Sequence, residues 1–418
     1  MTLHNHNQNT MVQKKILLLG GSAQQVIAIR TAKEMGYYTI LCDYLSDNPG
    51  QYVADKFYQK STTDIAAVYD IAKTEQVSGI LAYASDPAAF SAAIVAEDLG
   101  LPTNPSKSVA ILGVKHLFRN FLKENGFACP QHYNFSPDIN VEEFKKNIST
   151  FHFPIIIKPT DSSGSKGVTK IDSKFDVDID EIFANAIAHA DNYSRNKILI
   201  VEEFIERGYP FVIGGDIFVV GGKIVLYGEM DCFRDYDGCG LIPIGKRKPC
   251  ALTEYQHNVL HKELQRLIGL LNIQFGEMNI ELILDKGNQP HFLELGPRAG
   301  GNMIPIQLSD VYGVDLVKAN IAVAMGEVPE LNFKEKPGCF MHYVLHCYKD
   351  GKFAGIEFSP ELEPFIYRKC IYKKNGDEVN SFDGAGKALG IVFFHFDTIE
   401  QMNEFCDRKD EFIKVKLQ

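Results

Sequence analysis

The chain has 418 residues, which is too long for one average hydrophobic core and predicts two or three subdomains. An apolar content of 45%, a charged content of 23% and a net charge of −10 indicate an ordinary globular protein and argue against an extended nucleic-acid-binding surface. Nine scattered cysteines without a C-x-x-C pair predict free thiols in a reducing cytoplasm and no zinc site.

The polar start of the chain predicts a flexible tail over residues 1–13, because it lacks the apolar core of a signal peptide. No apolar run approaches the ~20 residues of a membrane span, so we expect no membrane partner.

A β-α-β pattern begins the folded part of the chain. Residues 15–19 form a buried-type strand, a glycine turn and a helix follow, and residues 38–42 form a second strand that ends at Asp43. A glycine turn with a later acidic residue also imitates a dinucleotide fingerprint, but residues 20–25 do not read G-x-G-x-x-G. We therefore expect a Rossmann-like domain over residues 14–104 that does not bind NAD.

A buried strand followed by a loop of small residues is the next strong signal. Three isoleucines at residues 155–157 predict the strand, and residues 160–167 form the loop. Small residues and glycines let backbone N–H groups converge on a phosphate, and lysines add charge. The phosphate-binding candidates are Lys158, Ser163, Gly164, Ser165, Lys166 and Gly167. The loop is not a Walker A motif, and a flexible hairpin tip is the alternative interpretation.

A second buried strand runs from residue 197 into a polar end. An exposed strand end can recognise adenine through backbone N–H and C=O groups, with apolar side chains beside the base. The candidates for this contact are Glu202, Glu203, Phe204 and Ile205. An ordinary acidic strand end is the alternative.

Residues 231–240 are polar and rich in glycine, and they predict a loop over the active site. Arg234 is our candidate for binding a substrate carboxylate, because a guanidinium matches that group with two hydrogen bonds. An ion pair with a neighbouring aspartate is the alternative role.

Two short apolar runs, residues 278–284 and 291–295, predict a β-hairpin. If Asp285 pairs with Pro290, Glu281 lies opposite Glu294; a one-residue slip would put it opposite Leu295. Facing carboxylates repel and need a cation or a shared proton, so without metal one should titrate high or both should stay partly hydrated. Such a pair suits Mg²⁺. Arg298 follows on a turn whose glycines leave room for a ligand.

The end of the chain has a helix up to residue 325 and then strand-like segments at residues 340–346, 366–372 and 389–396, with a last helix at residues 398–408. These elements predict a small α+β domain over residues 327–418.

These motifs, taken in order, resemble the ATP-grasp superfamily over residues 14–326. The closing motif of that superfamily is a strand Glu, a turn, a second strand Glu, an Asn two residues later, an Arg two beyond it and paired glycines. The residues that match are Glu281, Glu294, Arg298, Gly300 and Gly301. Gly296 stands where the superfamily has the Asn, and Asn302, just past the turn, is the candidate to replace it as a ligand.

The resemblance implies an ATP- and Mg²⁺-dependent ligase, with Mn²⁺ as a substitute ion. Such an enzyme converts a small-molecule carboxylate to an acylphosphate, which an amine attacks, and releases ADP and phosphate. Lys158 and Arg298 are then catalytic, Glu281 and Glu294 bind the metal, and Lys115 contacts nucleotide phosphates. The implied substrate contacts are Arg234, Arg298, Gly300, Gly301 and Asn302. A homodimer is expected.

Two other functions stay open. One is an ATP-grasp enzyme that activates bicarbonate, as carboxylases and carbamoyl-phosphate synthases do. The other is a non-catalytic nucleotide- or metabolite-binding protein, because the Asn of the motif is missing.

The predicted fold class is α/β and α+β, with an ATP-grasp domain over residues 105–326, a lid-bearing subdomain at about residues 130–206 and the flanking domains described above.

Overall fold

The computed structural model describes residues 13–162, 164–173, 178–235, 240 and 242–418. The chain divides into two units. The first contains the described residues up to Thr103 together with Val317–Pro329, and the second contains Asn104–Leu316 and Glu330–Gln418. The predicted mixed α/β and α+β class is confirmed, whereas the domain boundaries stay predictions. Within the described ranges, no helix is both long and apolar enough to cross a bilayer.

The helices of the two units are α1 Val26–Glu34, α2 Ile65–Glu75, α3 Asp86–Asp98, α4 Ser106–Gly113, α5 Lys115–Glu124, α6 Val141–Asn147, α7 Ile179–Asp191, α8 Glu254–Leu270, α9 Ile304–Tyr312, α10 Leu316–Ala324 and α11 Ile399–Phe412. Short 3-10 helices occur at Pro49–Tyr52, Glu363–Phe365 and Ala385–Lys387.

The strands are β1 Lys15–Leu19, β2 Tyr38–Asp43, β3 Lys56–Gln59, β4 Gly79–Leu81, β5 His132–Phe135, β6 Ile155–Pro159, β7 Thr169–Ile171, β8 Leu199–Glu203, β9 Val212–Val220, β10 Lys223–Arg234, β11 Pro243–Lys248, β12 Phe275–Leu284, β13 Pro290–Gly296, β14 Cys339–Leu345, β15 Gly351–Phe358, β16 Ile366–Ile371, β17 Glu378–Val379, β18 Gly390–Phe396 and β19 Ile413–Leu417.

The first unit is built on a parallel sheet with the order β3-β2-β1-β4. Strands β1 and β2 are almost wholly buried, which explains why both read as unbroken apolar runs rather than as alternating patterns. Asp64 starts α2 by accepting a hydrogen bond from the Ala67 N–H at 3.1 Å. The predicted β-α-β arrangement is present.

The turn after β1 is filled by protein atoms. Gly20 has a φ of +106°, and a Cβ at this position would lie 2.3 Å from Nε2 of Gln25. Gln25 donates to the Tyr83 carbonyl at 2.8 Å, and Asp43 accepts from the Gly21 N–H at 2.7 Å. The N–H group and the space that a dinucleotide-binding turn offers to a pyrophosphate are therefore used by Asp43 and Gln25.

An antiparallel sheet with the order β5-β8-β6-β7 begins the second unit. Strands β6 and β7 form a hairpin, with Ile157 opposite Thr169, and the loop between them is the predicted phosphate loop. Helices α6 and α7 pack on this sheet through buried residues that include Phe144 and Phe183. This small core supports the two strands, β6 and β7, that carry the loop.

An eight-stranded sheet with the order β13-β12-β9-β10-β11-β14-β18-β16 carries most of the second unit. Helix α8 packs on this sheet. Its apolar spacing buries one face of the helix in a core shared with β9, β12 and β13, through Leu260, Leu264, Leu267 and Ile268. Strands β14, β16 and β18 correspond to the three predicted C-terminal strands, and they continue this sheet through the pairing of β14 with β11.

Strand β10 runs further than the sequence indicates. The predicted loop at residues 231–240 is wrong for residues 231–234, because they pair with β9 or β11; Cys232, for example, lies opposite Val212. The charges in this stretch are paired inside the protein, as Arg247 Nε donates to Asp231 Oδ2 at 3.2 Å. Residues 236–239 of the predicted loop lie outside the described residues.

A buried charge cluster joins α5, β6, β8 and β13. Arg119 Nε lies 2.7 Å from one oxygen of Glu202, and Lys158 Nζ donates to the other at 2.6 Å. Arg119 also donates to the carbonyls of Phe292 and Leu293 at 3.1 and 3.0 Å. Burial raises the pKa of Glu202, but the charges of Arg119 and Lys158 outweigh it and hold that pKa at about 2.

Replacing Glu202 with glutamine should lower the free energy of unfolding by about 3 kcal/mol, because two buried cations lose their counter-charge. The folded pKa of about 2 lies below the ordinary value of 4.5. The stabilisation by Glu202 is therefore complete above about pH 4.5 and is lost as the pH falls towards 2. Urea unfolding at several pH values measures both effects. Glu203→Gln, at the half-buried neighbouring position, is the control, and equal losses in the two variants would contradict the prediction.

Candidate active site

The β12–β13 hairpin places Glu281 opposite Glu294. The predicted register at the turn is wrong, because Pro290 lies opposite Leu284 rather than opposite Asp285. A register shift directly after Glu281 compensates for the one-residue difference, so the two carboxylates still face each other. An irregularity in the strand therefore decides which residue Glu281 meets.

Two cations neutralise these carboxylates. Arg234 Nη2 donates to Glu281 Oε1 at 2.6 Å, and Lys115 Nζ lies 3.7 Å from Glu294 Oε2. Burial raises the pKa of Glu281, but the charges of Arg234 and Lys246 outweigh burial and lower it. The expectation that one carboxyl titrates high is therefore wrong for Glu281, whereas the alternative, that both stay partly hydrated, agrees with side-chain exposures of 30% for Glu281 and 29% for Glu294. Cations rather than a shared proton remove the repulsion here.

Lys115 also supports the phosphate loop. Its backbone N–H donates to the Thr160 carbonyl at 2.8 Å, and its ammonium donates to the Ser162 carbonyl at 2.6 Å. The residue is the first of α5, so its side chain lies where the helix, the loop and Glu294 meet. This position connects the predicted phosphate loop with the carboxylate pair.

Gly164, Ser165 and Lys166 line the same cavity as Lys115 and Lys158. Gly167 has a different role, since a Cβ there would lie 3.1 Å from Pro159 and Tyr193, so glycine lets the loop pass close to them. Ser163, the remaining predicted residue of this loop, lies outside the described residues.

All four predicted residues at the end of β8 line the cavity: Glu202, Glu203, Phe204 and Ile205. The carboxylate of Glu202 is engaged by Arg119 and Lys158, so it orients the lysine. Burial lowers the pKa of Lys158, and the charge of Glu202 opposes this effect. Lys158, which lines the cavity, is thus held by a counter-ion that lines the same cavity.

The backbone at this strand end is partly occupied. The N–H groups of Glu203 and Phe204 donate to the carbonyls of Gln131 and Pro154 at 3.0 and 2.8 Å. The prediction that the strand end leaves its backbone groups exposed is therefore wrong for these two N–H groups. Apolar side chains still form one wall of the cavity, namely Ile156, Val168, Phe204, Ile205, Val212, Ile283 and Leu293.

The turn after β13 does not leave the predicted room for a ligand. A Cβ on Gly300 would lie 2.5 Å from Oδ1 of Asp216, whose other oxygen accepts from the Gly300 N–H at 2.8 Å. Because Gly300 has no side chain, the buried Asp216 can approach its backbone. Arg298 Nη1 donates to the Ala299 carbonyl at 3.1 Å. The predicted substrate contacts that are absent from the described cavity lining are Arg298, Gly300, Gly301 and Asn302.

Gly296, which replaces the Asn of the resembled motif, pairs with Asn279 across the hairpin. The amide of Asn279 is used within the fold, because Nδ2 donates to the Gly215 carbonyl at 2.9 Å and to Asp216 at 2.8 Å. Asn302 is buried on the turn. Among the described residues that line the cavity there is no asparagine.

Three buried charged residues around the site were not predicted: Arg119, Asp216 and Lys246. Arg119 follows Lys115 by one helical turn and shares a face with the buried Leu122. Helical periodicity could therefore have predicted that Arg119 is buried. Asp216 is a single acid in the apolar strand β9, and burial raises its pKa. Lys246 lies in a basic run that reads as exposed surface.

One cavity gathers the remaining groups. Its cationic lining includes Lys115, Lys158, Lys166 and Arg234, and its acidic lining includes Glu281 and Glu294. Cations suit the phosphates of a nucleotide, the apolar wall suits an aromatic base, and the two carboxylates are the residues able to hold a hard divalent cation.

Comparison with known proteins agrees with this arrangement. The family model of the carbamoyl-phosphate synthase L chain, ATP binding domain, matches residues 115–331. Urea amidolyase of Saccharomyces cerevisiae is 24% identical over 416 residues, which cover 88% of this chain and 22% of that protein. The carbamoyl phosphate synthase large chain of Pseudothermotoga lettingae is 23% identical over 338 residues, covering 75% and 28%. The chain thus spans less than a third of the length of these relatives.

Solved structures have the same fold. The L-amino acid ligase from Bacillus licheniformis superposes with a TM-score of 0.79 at 16% identity, covering 98% of this chain and all of that chain. The biotin carboxylase domain of 2-oxoglutarate carboxylase from Hydrogenobacter thermophilus, a dimer in complex with MgADP, ADP and bicarbonate, gives 0.75 at 17% identity, covering 97% and 92%. Because the family match extends over slightly more than half of its length, the chain belongs to the carbamoyl-phosphate synthase L chain, ATP binding domain, family within the ATP-grasp superfamily.

Proposed function

We propose that the chain is an ADP-forming ligase that uses ATP to activate a small-molecule carboxylate for attack by an amine. The observation that carries this proposal is a single cavity with phosphate-binding cations beside two facing carboxylates. In the first step the γ-phosphoryl group passes to a carboxylate oxygen and ADP leaves. In the second the amine nitrogen attacks the acyl carbon, phosphate leaves and the nitrogen loses a proton. Family membership and the fold of an L-amino acid ligase support this reading.

The cations of the cavity are proposed to bind the triphosphate. Lys115 and Lys166 approach it from the helix and the loop, and Lys158 approaches from the end of β6. Because Glu202 accepts a hydrogen bond from the Lys158 ammonium at 2.6 Å, this charge needs little reorganisation when a phosphate arrives. Phe204 and Ile205 on the apolar wall are proposed to pack against the base.

Glu281 and Glu294 are the residues that would hold Mg²⁺. Bound there, the ion would neutralise phosphate oxygens. The fit rests on Arg234 and Lys115, which lie against these carboxylates and mark both as positions that attract positive charge. Mn²⁺ also prefers carboxylate ligands, so we expect it to substitute.

Arg234 is proposed to bind the substrate carboxylate. Its side chain is buried, lines the cavity and already bonds a carboxylate, that of Glu281, so it has the geometry for such a partner. Arg298 is proposed to act on the acylphosphate after a change in the turn that carries it, with Gly300, Gly301 and Asn302 as part of that turn.

Activation of bicarbonate is the second candidate. The matched family and the carbamoyl phosphate synthase relative favour it, and the biotin carboxylase neighbour was solved with bicarbonate. The chemistry of the cavity is the same, because bicarbonate is itself a carboxylate and needs the same cations.

ADP release distinguishes these functions. The chain is incubated with Mg·ATP and bicarbonate, or with Mg·ATP and a mixture of amino acids, with hydroxylamine present to trap acylphosphates as hydroxamates. We expect ADP and hydroxamate with the amino acids. ADP release with bicarbonate alone supports the second candidate, and nucleotide binding without any ADP release identifies a binding protein.

Lys158→Met should weaken ATP binding by about 2 kcal/mol, because a charge-assisted contact to phosphate is lost while the aliphatic stem remains. Isothermal titration with a non-hydrolysable ATP analogue measures the affinity. Lys146→Met removes an exposed lysine of α6 and is the matched control. An unchanged affinity in Lys158→Met would show that the phosphate-loop assignment is wrong.

Glu294→Gln should reduce ADP release about a hundredfold or more and abolish the extra thermal stabilisation that Mg²⁺ adds to ATP. Its folding should be nearly unaffected, because Glu294 is part-exposed and its cation is 3.7 Å away. Glu281→Gln should destabilise the chain more, since the buried Arg234 then loses a partner at 2.6 Å.

Melting temperatures with and without Mg·ATP, together with ADP assays, test both variants. Glu206→Gln, in an exposed ion pair with Lys286, is the control for loss of one carboxylate. Normal turnover by Glu294→Gln would mean that the facing carboxylates are structural.

A further inference from the structure

Away from the cavity, α8 and β10 bring two imidazoles and a carboxylate together. His257 Nδ1 lies 2.8 Å and His261 Nε2 lies 3.0 Å from Oε1 of Glu229. The ligand atoms of the three side chains all lie within 4.8 Å of one another. His257 and His261 are one helical turn apart on α8, and β10 presents Glu229 to the same face of the helix. None of the three lines the proposed nucleotide cavity.

The second oxygen of Glu229 is unsatisfied within the described part of the chain. Glu229 is 3% exposed, and its Oε2 is buried without a hydrogen-bond partner among the described residues. A buried carboxylate oxygen without a donor is costly, so the two imidazole contacts on Oε1 do not account for the whole group. A cation bound by the cluster would satisfy this oxygen.

The imidazoles are already held in place. The ring of His261 stacks on Tyr227, with 3.7 Å between ring centres and 18° between ring planes. Glu229 is fixed by the pairing of β10 with β9. The two histidine side chains are 31% exposed, so an ion and a water ligand can reach the cluster from solvent. The site therefore needs little rearrangement to bind an ion.

We propose that His257, His261 and Glu229 bind one divalent transition-metal ion of the zinc type. Two imidazole nitrogens, one carboxylate and a water are a donor set of tetrahedral zinc, whereas Mg²⁺ prefers oxygen ligands alone. The sequence-based expectation of no zinc site considered only cysteines, which take no part in this cluster. The ion would join α8 to β10 and stabilise the fold without taking part in the proposed ligase reaction.

The half-buried Lys248 offers a second test, in which a substitution should strengthen metal binding. Its charge acts on Glu229 from nearby, with its ammonium 5.2 Å from the centre of the Tyr312 ring. A cation at the cluster is repelled by this ammonium. Lys248→Met should therefore bind the metal more tightly than the wild type, a gain that a purely hydrogen-bonded cluster would not produce.

The experiment uses the full chain, freed of metal with a chelator, and titrates it with Zn²⁺ by calorimetry. We expect one site that His257→Gln and His261→Gln each weaken by about a hundredfold or more, whereas His189→Gln, an exposed histidine of α7, leaves it unchanged. The visible spectrum of the Co²⁺ form should show nitrogen and oxygen ligands, which separates this site from binding by the nine cysteines.

Anomalous scattering at the zinc edge, from wild-type crystals grown with Zn²⁺, locates the ion without relying on the folding of a variant. Density between the three side chains supports the proposal. Absence of an ion there overturns it, as do equal zinc affinities of His257→Gln, His261→Gln and His189→Gln, or a thiolate spectrum that none of the three changes.

Discussion

The buried cluster of Arg119, Glu202 and Lys158 is the interaction on which the candidate site depends. One carboxylate sets the direction of the lysine that faces the cavity, and the same carboxylate holds the arginine that bonds the backbone of β13. The lysine proposed to bind phosphate and the strand that carries Glu294 are therefore positioned by one group. In a low-dielectric interior, removal of Glu202 leaves two cations without their counter-charge, whereas removal of either cation leaves Glu202 paired with the other one alone.

Three carboxylates around the site are satisfied in three different ways. Glu202 has two cations, and Glu281 has Arg234, so both have lowered pKa values. Asp216 has a raised pKa because burial outweighs the N–H donors of Asn279 and Gly300. The first two arrangements create fixed charge at the cavity, whereas the third ties the turn after β13 to β9. The cations that pair with Glu281 and Glu294 belong to β10 and α5 rather than to the hairpin itself. A bound cation could therefore take their place at these two carboxylates.

Much of the architecture was predictable from local signals. The apolar runs of β1 and β6, the turn residues of the β12–β13 hairpin and the small residues after Lys158 each specify an element within a few residues of chain. Predictions failed where a local pattern was overruled by a distant partner. Residues 231–234 look like a polar loop, yet they form a strand because Arg247 and Glu281 neutralise Asp231 and Arg234. The space beside Gly300 looks open in sequence, yet Asp216 fills it.

The amino-acid sequence by itself determined which side chains stand at strand ends and turns, because apolar periodicity and glycine chemistry act between near neighbours in the chain. It thereby indicated the lysines, the facing glutamates and the superfamily. Only the tertiary structure decided which partner each charge takes, that a register shift after Glu281 restores its pairing with Glu294, and that His257, His261 and Glu229 meet. Those outcomes depend on distances of a few ångströms between segments far apart in the chain, and the energy of a buried charge changes steeply over such distances.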